Sequence, residues 1–326
     1  MFRLSLLCCF FLFFSCTESN TLNNNSSSIS ELSNLLLVTP NDTVLLKERR
    51  NLFINNGDFE NALIDQKQLF IIDTTNYVNR FKLAELYFNL YYVNPNYISN
   101  SLELISSDDL VYPSILLLRG KLFYILQKYS KSLKNINAYL KSYPFDAEAY
   151  FYKGLNYKEI GDVDMAESQF QTAIEQNPNH VSSHEQLAFI YAFKEDTLAK
   201  YYFINALNSD SSLLSSWYNL AMYYQNRGNF TNAKKSYFGI LRRDSINFDA
   251  NYNLGYISLV EEKFELAIKY FSTLINLSDT FASVYFSRGL AYKFNNEKFE
   301  AQKDFEKTLE LNPDFIEAKK ELKSFK

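Results

Sequence analysis

The stretch "AEAYFYKGLNYKEIGDVDMAESQFQTAIEQNPNH", residues 147–180, carries two helical faces separated by a break. In its first half Tyr150, Gly154 and Tyr157 fall at i, i+4 and i+7, one face of a helix. Gly161-Asp162 interrupts that face, because glycine disfavours a helix interior and aspartate favours a helix start. Ala166, Phe170 and Ala173 then line one face of a second helix, and Pro178 lacks the N–H that a continuing helix needs. Small residues at Gly154 and Ala166 let the two backbones approach, while Tyr157 and Phe170 fill the space beside them.

The wording recurs along the chain. Gly120, Gly154, Ala188, Ala221, Gly255 and Gly289 follow one another at steps of 34, 34, 33, 34 and 34 residues. Downstream of each lies a second small residue: Ser132, Ala166, Ala199, Ala233, Ala267 and Ala301. Four residues later come Ile136, Phe170, Phe203, Tyr237, Phe271 and Phe305, and Pro144, Pro178 and Pro313 close three of the units. "GDFENA" at 57–62 and "GNFTNA" at 228–233 repeat the turn wording. A fixed period of this length marks a repeat architecture.

This pattern resembles the tetratricopeptide repeat (TPR) family. The resemblance implies an all-α fold, a right-handed α-solenoid of about eight helix-turn-helix repeats. Their boundaries are 43–76, 77–112, 113–146, 147–180, 181–213, 214–247, 248–281 and 282–315, with residues 316–326 as a capping helix. Three units depart from the pattern. The first has Arg50 where a small residue belongs. The second is two residues longer and has Ile98 in place of the small residue of its second helix. The fifth is one residue short near Glu195-Asp196 and lacks the turn glycine.

Composition narrows the function classes. With 33 Lys and Arg against 37 Asp and Glu, the net charge of −4 offers no electrostatic footprint for nucleic acid. The 8 glycines stand apart, whereas a phosphate-binding loop needs several together. Cys8, Cys9 and Cys16 are the 3 cysteines, so the repeats hold no thiolate, disulfide or Cys-ligated metal. His180 and His184 are spaced as a helical zinc pair, yet no further ligands are indicated, and His184 falls on a packing position. The sequence therefore predicts a non-enzymatic chain with no cofactor and no metal.

The N-terminus reads as an address. "MFRLSLLCCFFLFFSCTES" has one basic residue, Arg3, an apolar run over 4–14, and then Ser15-Cys16 before polar residues. The run is short for a membrane span and fits a signal peptide over 1–15. Ser15-Cys16 resembles the lipobox of bacterial lipoproteins, which implies lipidation at Cys16 and a place in the bacterial cell envelope, at the outer membrane. Residues 16–42, rich in Ser and Asn, are expected to be a flexible tether.

In the resembled family the first helices line a groove that receives a peptide or an extended segment of another protein. Residues 2, 5, 9, 12 and 13 of each unit correspond to groove-facing sites. Here they include Phe81, Phe88, Leu117, Tyr124, Phe151, Leu155, Phe189 and Phe193, then Tyr218, Met222, Tyr252, Tyr256, Phe286, Leu290 and Phe294. Tyr218, Tyr252 and Phe286 share one site in three consecutive units. Their rings are expected to form a ladder outside the inter-helix packing positions; the alternative is that adjacent rings pack on each other and thicken the core. A basic carboxylate clamp begins with Lys47 and Asn51 but continues as Lys82, Ser114 and Leu118, which leaves it incomplete. The expected function is a membrane-anchored scaffold for a protein partner. The alternatives are an accessory lipoprotein of an envelope assembly or export machine, and a carbohydrate-binding lipoprotein that stacks sugars on its rings.

Overall fold

A computed structural model describes residues 28–106 and 112–325. The expected signal peptide over 1–15 and Cys16 lie outside the described residues. The chain divides into two compact units, 1–111 and 112–326. The first contains α1 (Ile29–Val38), α2 (Thr43–Asn55), α3 (Phe59–Ile72), α4 (Tyr77–Asn89) and α5 (Tyr97–Leu104). The second begins with α6 (Pro113–Ile125), α7 (Tyr129–Leu140), α8 (Ala147–Ile160), α9 (Val163–Gln176), α10 (Val181–Phe193), α11 (Leu198–Ser209) and α12 (Leu214–Asn226). It continues with α13 (Phe230–Leu241), α14 (Phe248–Val260), α15 (Phe264–Leu277), α16 (Ala282–Phe294), α17 (Lys298–Leu311) and α18 (Ile316–Lys323). Among the described residues there is no strand, and no helix is long and apolar enough to cross a membrane.

From α2 onward the helices pair α2 with α3, α4 with α5, and so on to α16 with α17; α18 lies against α17. Each unit is an α-solenoid of stacked helix pairs. Side-chain caps start many helices: Asp58, Asn76, Asp146, Asp162, Asn229 and Asn247 each accept a hydrogen bond from the N–H three residues on. In every pair but α4 with α5 the turn holds one left-handed residue, and Gly57, Gly161 and Gly228 supply it at φ of 75°, 90° and 70°. Gln127, Glu195, Glu262 and Asn296 take that conformation in other pairs at φ of 57° to 65°. The missing turn glycine of the fifth repeat is thus replaced by Glu195 without loss of the turn.

Packing within a pair follows from one close approach. A Cβ added to Gly154 would lie 2.6 Å from Phe170 Cε1, and at Gly255 and Gly289 it would lie 2.7 Å from Phe271 and Phe305. Phe170, Phe271 and Phe305 are buried, each ring contributing about 1.5–3 kcal/mol. Gly239, which fits no turn or spacing in the sequence, meets the Trp217 ring in the same way, at 2.7 Å.

The irregular repeats solve the same problem differently. In the first, Arg50 Nη1 donates to Gln66 Oε1 at 2.6 Å, and Gln66, fully buried, donates to the Asn79 carbonyl at 2.8 Å. A polar pair stands where others place glycine against a ring. In the second, Ile98 does not replace the small residue. Ser101 is that residue: its Oγ donates to the Ala84 carbonyl at 2.7 Å, as Ser132 Oγ donates to the Gly120 carbonyl at 2.7 Å. The turn over 90–96 is longer than turns such as 126–128, and it displaces the small residue along the helix.

The expected tether over 16–42 is corrected for its described part, 28–42. Residues 29–38 form α1, opened by a capping box between Ser28 and Glu31. Leu32 and Leu36 are buried, and Leu36 joins Leu46 and Leu69 in one cluster. Arg49 grips Asp65 with two hydrogen bonds, of 3.0 and 2.6 Å, and donates to Ser33 Oγ at 3.0 Å. The same arrangement recurs in the last pair: Arg288 grips Asp304 at 2.7 and 2.8 Å and donates to Ser272 Oγ at 3.0 Å. Ser33 on α1 therefore stands in relation to α2 and α3 as Ser272 on α15 stands to α16 and α17. α1 occupies the place of a second helix from a preceding half-repeat.

Candidate functional site: the face of the first helices

In the second unit the first helices of successive pairs are neighbours: α6 touches α8, and α14 touches α16. Polar side chains join each to the next. Lys121 pairs with Glu148 at 2.7 Å, and Lys158 Nζ donates to Gln186 Oε1 at 2.8 Å. Ser215 Oγ donates to Glu185 Oε1 at 3.5 Å, and Ser216 Oγ donates to the same oxygen. Gln225 Nε2 donates to Asn253 Oδ1 at 3.1 Å, Tyr252 and Ser287 share a hydroxyl contact at 3.2 Å, and Lys293 pairs with Glu321 of α18. This row makes the first helices the inner face of the unit.

The rings on that face are anchored from behind. Phe151 lies 5.8 Å from Phe170, Tyr218 6.3 Å from Tyr237, Tyr252 5.7 Å from Phe271 and Phe286 5.7 Å from Phe305, between ring centroids. Each of these four turns onto the buried ring of its own second helix. The expectation that Tyr252 stands outside the packing between helices is therefore corrected. It is half-buried and packs against the Phe271 cluster, because a side chain at this site reaches across the pair. Phe286 is further backed by Phe315 at 4.8 Å, and Phe151 by His180 at 5.2 Å.

The other expected groove residues fall into two groups. Leu117 packs on the Ile136 cluster, Leu155 on the Phe170 cluster, and Met222 on the Tyr237 cluster, where its Sδ accepts from Tyr237 Oη at 3.1 Å. Tyr124 meets Tyr129 and Tyr152, and Leu290 is half-buried. By contrast Phe189, Tyr256, Phe294 and Phe193 expose 39%, 46%, 51% and 92% of their surface. Phe189 leans on Phe203 at 5.6 Å and Phe294 stacks on Phe264 at 5.7 Å, and the rest of each ring is free apolar area. Phe81 and Phe88 belong to the first unit, where they stand beside Tyr77 and Tyr91. Two residues of the partial clamp are spent locally: Asn51 accepts from Arg50, and Lys82 pairs with Glu85.

Glu185 was not legible as part of this face. It occupies the site held by Phe151, Tyr218, Tyr252 and Phe286 in other pairs, so the row of rings contains one carboxylate. Aligning the fifth residue of every unit, rather than choosing only the rings, exposes it.

The histidines have structural partners. His180 Nδ1 accepts from the Ser183 N–H at 3.3 Å and contacts its Oγ at 2.9 Å, so a neutral imidazole caps α10. Burial pushes the His180 pKa down, opposed by Glu148 and Asp146 and aided by His184. His184 is buried, and its Nε2 donates to the Pro178 carbonyl at 2.8 Å. Among the described residues no group of three His, Cys, Asp or Glu could hold a metal ion.

Tetratricopeptide-repeat models match residues 147–180, 218–280 and 282–315. The chain belongs to the tetratricopeptide repeat family. No curated protein matches its sequence. Among solved structures, the C-terminal part of a TPR repeat-containing protein from Cytophaga hutchinsonii matches 72% of this chain and 97% of that one, at 17% identity and a TM-score of 0.62. Human IFIT1 dimer with PPP-AAAA matches 88% of this chain and 68% of that one, at 16% identity and a TM-score of 0.55. YrrB, described as a TPR protein with an unusual peptide-binding site, matches 58% of this chain and 97% of that one, at 16% identity and a TM-score of 0.51. At these identities the likeness to each TPR neighbour concerns the fold.

Proposed function

We propose that this TPR protein is a non-enzymatic scaffold, lipid-anchored through Cys16 in the bacterial cell envelope, that holds an extended segment of a protein partner on the inner face of its second unit. The observation that carries the reading is the free apolar area of Phe189, Phe193, Tyr256 and Phe294 on that face. Exposed apolar area gathered on one face marks an interaction site more often than an inert surface. The rings behind it are pre-positioned by Tyr237, Phe271 and Phe305, which lowers the ordering cost of binding.

The test places a photo-crosslinking amino acid at Tyr256 or, as a control, at exposed Glu306 of α17, in cells that carry the full chain. A single protein crosslinked from Tyr256 and not from Glu306 supports the reading, and equal crosslinking from both removes it. Retention of a glycan without protein would move the chain to the carbohydrate-binding class. The anchor is tested separately: Cys16→Ala should shift the chain from the membrane fraction to the soluble one, and unchanged fractionation removes the lipoprotein part.

A further inference from the structure

The first helices α10, α12 and α14 read VSSHEQLAFIYAF, LSSWYNLAMYYQN and FDANYNLGYISLV. Together they hold no lysine and no arginine, and their only acidic residues are Glu185 and Asp249. The first helices on either side do carry cations. Lys158 on α8 is joined to Gln186, and Arg288 and Lys293 on α16 are joined to Asp304 and Glu321, while Lys153 on α8, half-buried, holds the same repeat position as Arg288. Cations at the ends of the central helices are also turned away. Lys194, after α10, pairs with Glu167 of α9 at 2.7 Å, and the Arg227 guanidinium, after α12, lies 4.0 Å from the centre of the Tyr223 ring.

Glu185 is the carboxylate set into the ring row. It is half-buried and accepts only from the hydroxyls of Ser215 and Ser216 among the described residues, so its charge has hydrogen-bond support without a counter-ion. Asp249 is exposed at the start of α14, near the Tyr237 hydroxyl. Tyr218 and Met222 lie on α12, between the helices that carry the two acids, and Tyr252 and the partly exposed Tyr256 follow Asp249 along α14. A negative, cation-free strip bordered by aromatic rings complements a guanidinium or ammonium, which gains from the carboxylate and from ring faces together.

We infer that the segment held on α10, α12 and α14 carries a lysine or arginine flanked by apolar residues, and that Glu185 receives that cation. The inference rests on the groove reading and gives the partner its chemistry.

The test uses the full chain and a series of labelled nine-residue peptides, with leucines around a central Arg, Lys, Gln or Glu. Binding is read by fluorescence anisotropy. Arg and Lys peptides should bind tighter than the Gln peptide by about 10-fold or more, since a charge-assisted hydrogen bond contributes about 1.5–3 kcal/mol. The Glu peptide should bind weakest. Glu185→Gln keeps an oxygen acceptor for Ser215 and Ser216, so the fold is retained while the preference for Arg over Gln disappears. Equal binding of the Arg and Gln peptides, no binding by any of them, or an unchanged preference in the variant overturns the inference. A chain that still crosslinks one partner from Tyr256 but shows no cation preference keeps the groove reading and loses this one. Loss of both removes both.

Discussion

The Tyr252 ring stands edge-on to Phe271, with centroids 5.7 Å apart and planes at 62°. A side chain on the inner face is thus also a wall of the core behind it. On the proposed groove reading recognition and stability share this residue, and substitutions must separate them by degree of exposure.

Tyr252→Ala should lower stability by about 1–3 kcal/mol, less than Tyr237→Ala, which empties a fully buried site and should cost about 3–5 kcal/mol. Tyr256→Ala, at a largely exposed ring, should stay within about 0.5 kcal/mol while reducing partner capture. Urea denaturation of the three variants, read beside crosslinking yield, checks the order. Equal destabilisation by Tyr252→Ala and Tyr237→Ala would make the ring purely core.

Gly154→Ala should destabilise by about 1–3 kcal/mol through overpacking, because the added carbon would sit 2.6 Å from Phe170 and the buried ring has little room to yield. At Gln127 the opposite substitution helps: with φ of 57° the residue holds a left-handed turn, and Gln127→Gly should stabilise by about 1 kcal/mol. Thermal melts of both variants test the packing and the turn independently.

The His180 cap predicts a pH dependence. Burial holds its pKa below the ordinary value of 6.5, so the folded state prefers the neutral ring. Its contribution is full above the unfolded-state value and is lost as pH falls through the folded-state value. Melting temperature should therefore drop on acidification from about pH 7 towards pH 5. His180→Asn, which caps without titrating, should flatten the curve. Glu261, held low by hydrogen bonds from Lys234 and Lys263, gives up its contribution only at lower pH. An equally steep curve in the variant would assign the dependence elsewhere.

Arg288→Ala should cost about 1.5–3 kcal/mol, since it leaves Asp304 buried without its two donors and frees Ser272. Arg288→Lys should recover only part of this, because a lysine cannot form the two-pronged contact. Arg49→Ala should behave alike in the first unit. A double-mutant cycle with Asp304→Asn measures the coupling.

The repeat was legible because its packing depends on residue size at fixed spacing: Gly154 against Phe170 leaves a mark that survives in Gly255 with Phe271 and Gly289 with Phe305. Where chemistry replaced size, the mark vanished. Arg50 with Gln66 reads as a defect until the hydrogen bond is seen, and Ser101 was hidden by the longer turn before it. α1 escaped notice because its Ser- and Asn-rich surroundings obscure Leu32 and Leu36, whose burial depends on Leu46 and Leu69 far along the chain. The groove rings were identifiable by position, but their backing by second-helix rings required three-dimensional proximity. Glu185 is illegible from the rings alone, because a carboxylate at the site of Phe151 and Tyr218 breaks the motif instead of extending it.

The contacts joining the first helices also give the second unit a graded compliance. Its outermost steps, Lys121 to Glu148 and Lys293 to Glu321, are ion pairs, whereas the steps between have one charged partner, as in Lys158 with Gln186 and Glu185 with Ser216, or none, as in Gln225 with Asn253 and Tyr252 with Ser287. Salt screens exposed charges over about 8 Å at physiological ionic strength and over less as salt rises, and it weakens a pair of opposite charges more than a hydrogen bond with one charged partner or none. Rising ionic strength should then soften the two ends of the spring first. The contacts among α10, α12 and α14 should persist, so mechanical give is placed away from the surface proposed to hold the partner.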